Sequence, residues 1–285
     1  MFIDVYSNAK DFLLKTEPIL MRNETLNGLM LGICFRLRKY PERITTAPYL
    51  ATVEDEGGLV AAACMTPPHN IVLYSDRAND DEALAMLIEN LRENNWPVPG
   101  ALGPASVAEK FAVLWGKLSG QAYRAGIRER LFELDSVIPP QPAPGVLRVA
   151  TEDDLELVTN WLVAFVQEAL PENAAEQAET RKTAPTRVAN RDIYLWELPE
   201  GTIVSLAAKT RPVVHVISVG PVYTPPEYRG KGYASNCVAA LSQLLLESGW
   251  QHCSLFTDLA NPTSNSIYQK IGYRPVCDFN EFIFE

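Results

Sequence analysis

The chain has 285 residues, 47% of them hydrophobic and 21% charged, with a formal net charge of −10 and a sequence pI near 4.9. That length predicts two domains of roughly 140 residues, each able to bury its own core. The acid excess argues against a nucleic-acid partner, since phosphate backbones are bound through Lys and Arg, and no apolar run reaches the ~18 residues of a membrane helix, so no membrane partner is expected. An acidic field favours a cationic small substrate, although acidity also serves solubility alone.

The chain opens with MFIDVYSNAKDFLLKTEPIL, where Asp4, Lys10 and Asp11 interrupt the apolar pattern in a way a secretory signal does not tolerate. A cytoplasmic protein is expected. Cys34, Cys64, Cys237, Cys253 and Cys277 form no CxxC pair, and His69, His215 and His252 have no ligand-like spacing, so no metal is expected. Strand-like runs come next over YLATVEDEGGLVAAACMTPPHNIVLY, then the acidic stretch SDRANDDEA, which contains no glycine.

The proline cluster VIPPQPAPGV, Val137 to Val146, removes backbone donors and fixes an extended path, which predicts a linker over 138–145 between a domain at 1–137 and another at 146–285. A short strand comes after it, with Thr151 as N-cap of a helix whose Leu155, Val158, Leu162 and Phe165 fall at helical spacing. The segment YLWELPEGTIVSLAAKTRPVVHVISVGPVY predicts antiparallel strands. Thr66 and Thr210, Pro68 and Pro212, Val60 and Val204, and Val5 and Val149 are each 144 residues apart, so a duplicated domain is expected, although alternating strands resemble one another easily.

A charged turn with two glycines, RGKGYAS from Arg229, separates the last of these strands from the helical run YASNCVAALSQLLLES. Glycine at 230 and 232 lets the backbone curl close to a ligand, Arg229 and Lys231 add charge, and the helix start exposes N–H groups, which together suit a pyrophosphate. A plain glycine turn is the alternative. The turn lacks the GK[ST] of a nucleotide-hydrolysing loop, because Gly232 follows Lys231. Beyond the next strand, CSLFTDLANPTSNSIYQKIGYRPV predicts a helix over 262–271 closed by Gly272, with Asn261, Ser264, Asn265 and Tyr268 on one face.

With both segments in view the chain resembles the GNAT superfamily of N-acetyltransferases. Its coenzyme motif, Arg or Gln then x-x-Gly-x-Gly/Ala, is matched by Arg229, Gly232 and Ala234. Its later motif, Asn-x-x-Ser/Ala-x-x-x-Tyr-x-Lys-x-Gly-Tyr/Phe, is matched by Asn261, Ser264, Tyr268, Lys270, Gly272 and Tyr273. The resemblance covers about Val146 to Glu285; the first half joins it only through the repeat, and carries Trp115 where the second has Tyr268. It implies an α/β (α+β) fold of two GNAT-like domains, each a mixed, mainly antiparallel twisted sheet flanked by helices, the first degenerate.

The resemblance further implies acetyl-CoA as cosubstrate, without a metal, and transfer to the amine of a small-molecule or amino-acid-like acceptor. Backbone groups of Val222, Tyr223 and Thr224 would hold the pantetheine arm, and Gly230, Lys231, Gly232, Tyr233 and Ala234 the pyrophosphate. The Val222 N–H would meet the oxyanion, and Tyr268, a phenol protonated at neutral pH, would protonate the leaving thiolate. Asn261 and Asn265 would bond the coenzyme arm or cap the helix. His215, expected on the strand before the turn, is a candidate base or a packed residue, with Glu227 and Asp258 as lesser candidates. Cys253 lacks an activating base and is not expected to carry the acyl group. A non-catalytic acyl-CoA-binding module and a protein or peptide N-acetyltransferase remain as other readings. The assembly is expected to be a monomer or homodimer, the first half serving the second as acceptor-site wall or intramolecular partner.

Overall fold

A computed structural model describes residues 1–169 and 174–285. The first half runs β1 (Phe2–Val5), α1 (Ala9–Leu20), α2 (Glu24–Lys39), β2 (Tyr49–Asp55), β3 (Gly58–Met65), β4 (Ile71–Ser75), α3 (Asp81–Glu93), β5 (Gly100–Pro104), α4 (Ala105–Ser119) and β6 (Tyr123–Leu134). The second runs β7 (Val146–Val149), α5 (Leu155–Ala169), α6 (Ala174–Ala189), β8 (Ile193–Glu197), β9 (Ile203–Thr210), β10 (Val216–Tyr223), α7 (Tyr233–Glu247), β11 (His252–Asp258), α8 (Pro262–Lys270) and β12 (Arg274–Phe284). The order of helices and strands is the same in both halves, and β1 and β7, like β2 and β8, begin 144 residues apart.

The chain folds as two compact units that each draw on separated stretches: Met1–Leu131 with Thr257–Asn261 and Pro275–Glu285, and Phe132–Phe256 with Pro262–Arg274. In the first unit the strand order is β1-β2-β3-β4-β5-β12-β6, and in the second β11-β10-β9-β8-β7. One parallel pair occurs in each among the recorded registers, β4 with β5 and β10 with β11, the other recorded pairs being antiparallel. Both sheets are therefore mixed and mainly antiparallel, as the resemblance implied.

Each unit also takes residues from the other half. β12 pairs with β5 in the first unit, from Phe279 opposite Pro104 to Ile283 opposite Gly100. Gly100 permits this approach, since a Cβ there would stand 2.2 Å from the Phe282 carbonyl oxygen. The last residues of β6 enter the second unit, where Phe132 and Leu134 lie in one core cluster with Cys253, Leu255, Ile271 and Tyr273.

In the second unit β8 alternates between two cores. Ile193 and Leu195 face α5 and α6 through Val158, Leu162, Ala184 and Val188, whereas Tyr194 and Trp196 face α7 through Cys237, Val238 and Leu241. This period of two is what a strand covered on both faces requires. The start of α5 is set locally: the Thr151 N–H donates to Asp154 Oδ2 at 2.8 Å, and a capping box closes the first turn. Arg148 of β7 then grips Asp154 through Nη1 and Nη2 at 2.7 and 2.8 Å and also pairs with Glu197 of β8. Helix α5 is thereby pinned to the sheet edge.

The Arg148 hydrogen bonds draw the Asp154 carboxyl down to about 2, against the opposing effect of burial. A carboxyl depressed in the folded state stabilises above its unfolded value of ~3.9, and this contribution is lost as pH falls through the folded value. Asp154→Asn should therefore cost roughly 1–2 kcal/mol at pH 7, with the difference from wild type vanishing by about pH 2, as measured by urea unfolding across that range.

The exchange of strands makes a second prediction. Residues 146–285 expressed alone lack Phe132 and Leu134 and leave β12 without β5, so the fragment should show no cooperative urea transition. In the full chain Leu134→Ala should cost about 2–5 kcal/mol. A cooperative transition of the fragment matching that of the full chain would contradict the argument.

Candidate functional site

Strand β10 pairs in parallel with β11 through Val216, Ile217 and Ser218 opposite His252, Cys253 and Ser254. Against β9 its antiparallel register shifts between Val219 and Val222, a bulge that redirects the strand before it ends at Tyr223. The end is fixed from β9: the buried Ser205 hydroxyl donates to the Tyr223 carbonyl at 3.3 Å and lies 2.8 Å from the Thr224 hydroxyl. Val222, Tyr223 and Thr224 thus follow the bulge on a held strand end.

Beyond it come a 3₁₀ turn over Pro226–Tyr228, then Arg229 in extended conformation, then Gly230 at φ +77° and Gly232 at φ +81°. Both glycines are left-handed, which is open to glycine at no steric cost. Crowding by the protein is not the reason for them. A Cβ at Gly230 would meet nothing within 4 Å, and one at Gly232 only Ala143 and Asn236 at 3.7 Å. Gly232 is the N-cap of α7 and offers no side-chain cap, so the N–H groups of the first helical turn point forward at the positive end of the helix dipole. Tyr233 and Ala234, half-buried, form that turn. The space and the donors fit a diphosphate.

The cations of the turn differ in their engagement. The Lys231 ammonium stands 5.7 Å from the Tyr228 ring centroid. Arg229 is held by the protein itself: its Nε donates to the Thr224 carbonyl at 2.8 Å, and its Nη2 contacts both carboxylate oxygens of Glu168 at 2.8 and 2.7 Å. The Tyr223 hydroxyl also donates to Glu168, at 3.3 Å, while the Tyr223 ring packs on Trp161 of α5 with centroids 6.0 Å apart. Glu168, Ser205 and Trp161 escaped the sequence reading. Only chain reversal brings them to the turn, and Glu168 precedes Arg229 by 61 residues.

On α8, Tyr268 packs edge-on to Tyr273 at 5.9 Å, and Tyr273 shares a buried hydrogen bond of 2.8 Å with Ser242. The Tyr268 side chain remains partly accessible and packs against the same core as Cys237. Burial, aided by Cys237, pushes its phenol above the ordinary tyrosine range, so it carries a proton at neutral pH. Burial also pushes the thiols of Cys237 and Cys253 up to about 12. Neither is an activated nucleophile, in line with the reading of Cys253. Asn265 is half-buried on α8 and Asn261 exposed just before it.

His215 needs a correction. It lies in an exposed bend before β10 rather than on the strand, because the Val213 N–H donates to the Val216 carbonyl at 2.9 Å and turns the chain there. Its own carbonyl accepts from the N–H groups of Gln251 and His252 at 3.0 and 3.1 Å. Glu227 is exposed in the 3₁₀ turn, and Asp258 accepts from the Ala260 N–H at 2.7 Å.

In the corresponding region of the first unit, Ile71 and Val72 of β4 pair with Ala101 and Leu102 of β5, and a Cβ at Gly103 would stand 3.2 Å from the Leu73 carbonyl oxygen. The loop after β4 is tied by Arg77 to Asp55 at 2.6 Å, and by Lys110 to Asp80 at 2.5 Å and to the Ala78 carbonyl at 2.9 Å. Trp115 is stacked on Phe284 at 4.9 Å and donates to Gln121 at 2.8 Å.

Comparison with known proteins agrees with this geometry. Residues 206–283 match the family described as FR47-like protein. No curated protein matches the sequence. Among solved structures, a GCN5-related N-acetyltransferase from Sphaerobacter thermophilus superposes with a TM-score of 0.63 at 13% identity, covering 98% of this chain and 94% of its own. An acetyltransferase from the GNAT family from Colwellia psychrerythraea gives 0.59 at 10% identity with both chains covered in full. A tandem GNAT protein from the clavulanic acid biosynthesis pathway gives 0.55 at 12%, covering 99% of this chain and 98% of its own. The chain has the GNAT fold. The matched FR47-like segment lies in its second half, with the glycine turn inside it.

Proposed function

We propose that this chain is an acetyl-CoA-dependent N-acetyltransferase that moves the acetyl group directly to the amine of a small-molecule or amino-acid-like acceptor. The observation that carries the reading is the turn after β10, where two left-handed glycines and an uncapped helix start leave donors and open space for a diphosphate. The match of residues 206–283 to the FR47-like family supports it. In the same reading residues 146–285 form the catalytic copy, 1–137 a degenerate copy and 138–145 the link. The corresponding loop of the first unit has no glycine and holds Asp80 against Lys110, which favours that assignment.

Backbone groups of Val222, Tyr223 and Thr224 would hold the pantetheine arm, Gly230 to Ala234 the pyrophosphate, and Asn261 and Asn265 the arm from the side of α8. The amine nitrogen attacks the thioester carbonyl carbon, and the developing oxyanion is met by the N–H of Val222. As the C–S bond breaks, sulfur takes the bonding pair and the Tyr268 hydroxyl gives it a proton; the proton lost by the amine passes to water. The raised affinity of Tyr268 for its proton keeps it in the acid form this step needs. The net charge of −10 favours a cationic acceptor.

Calorimetric titration should show one molecule of acetyl-CoA per chain for the wild type and no saturable binding for Gly232→Glu, whose side chain and charge would fill the space before α7. Absence of binding by the folded wild type would refute the proposal. With an amine acceptor found by panel, Tyr268→Phe should lower kcat about a hundredfold while leaving acetyl-CoA affinity and Tm close to those of the wild type. A kcat equal to wild type would remove Tyr268 from the mechanism.

A further inference from the structure

Glu168 sits near the end of α5, on an element no coenzyme motif reaches, yet three of its contacts converge on the turn. Its two oxygens take the Arg229 guanidinium, and one of them also accepts from the Tyr223 hydroxyl. Arg229 in turn spans from Glu168 to the Thr224 carbonyl through Nε. A guanidinium can do this because its donors form a rigid planar fork; an ammonium carries the same charge but cannot hold a carboxylate and a carbonyl in two fixed directions. The Arg229 group also stands 5.8 Å from the Tyr223 ring centroid, so ring, carboxylate and guanidinium form one assembly around the strand end.

This arrangement decides what Arg229 does. A cation meant to bind phosphate by charge would be left open toward the glycines, whereas here it is neutralised by a carboxylate and directed back at the residues before the turn. Resting on the coenzyme reading of that turn, we propose that Glu168 is a positioning residue: by clamping Arg229 and Tyr223 it braces Thr224 and the glycine turn in the shape that receives the diphosphate, so that Arg229 is a brace and the phosphate is met by backbone N–H groups and Lys231. The same clamp ties the turn to α5, whose start is pinned to the sheet edge through Arg148 and Asp154.

The brace and the bare electrostatic expectation differ in sign. Removing a carboxylate beside an anionic ligand tightens binding if charge alone matters, and loosens it if the carboxylate holds the turn. The full-length wild type, Glu168→Gln, Arg229→Lys, and the double variant Glu168→Gln/Arg229→Lys are titrated with acetyl-CoA. Backbone amide hydrogen exchange over 224–234 is measured in each without ligand.

The brace predicts faster exchange across the turn in Glu168→Gln and acetyl-CoA affinity weaker by about fivefold, the scale of a well-formed but exposed ion pair. Arg229→Lys should behave like Glu168→Gln despite its retained charge, and the double variant should be no worse than either single one, since both break the same clamp. Unchanged exchange in Glu168→Gln, or affinity equal to or tighter than wild type, overturns the inference while leaving acetyl-CoA binding by the wild type intact. If the wild type itself fails to bind acetyl-CoA, the coenzyme reading of the turn falls, and the positioning role with it.

Discussion

The register of β10 is the constraint on which the rest of the second unit depends. A strand held on both sides along its whole length has no backbone groups to offer a ligand, because every N–H and C=O is engaged in a ladder. β10 escapes this condition near its end. The recorded parallel pairing with β11 ends at Ser218, five residues before the strand stops at Tyr223, and on the other side the bulge between Val219 and Val222 shifts the register before pairing with β9 resumes at Val222 and Tyr223. Past Tyr223 the chain must reverse direction and start α7 by Tyr233, which the left-handed glycines at 230 and 232 allow. Bulge, turn and uncapped helix are therefore one feature, and Ser205, Arg229 and Glu168 are the side chains that hold it still.

The two halves show what happens to the same scaffold with and without that feature. In the first, β4 ends at Ser75 and the loop after it has carboxylates in place of glycines, one of which, Asp80, is buried against Lys110. A buried carboxylate must be paired, and the lysine that pairs it comes from α4. The first half has kept a core, rich in alanine and leucine from β3 and α3, and it receives β12 as a pairing strand.

Legibility in the sequence tracked the range of the forces involved. The Thr151 cap, the glycine turn and the face of α8 that presents Tyr268 are set by neighbours within about one helical turn, and each is where local pattern placed it. The spacing of 144 also survived, since β1 with β7 and β2 with β8 begin at that interval. His215 did not. Val213 to Val222 is one apolar run in the sequence, but Arg211 adopts φ +44° and the Val213 N–H turns back to Val216, so the strand begins later than hydrophobicity alone would have it.

The amino-acid sequence by itself determined the repeated order of elements, the turn that glycine makes at no steric cost, and the helix face carrying Tyr268, because these depend on backbone sterics and on the 3.6- and two-residue periods. The tertiary structure alone decided that β12 joins the first unit while the end of β6, from Phe132, joins the second, and that Arg229 is clamped by a carboxylate 61 residues away. Strand pairing and side-chain ion pairs are satisfied equally well, in a one-dimensional string, by many partners. Only the packed chain, in which every buried strand edge must find a neighbour and each charge a counter-charge or water, selects among them.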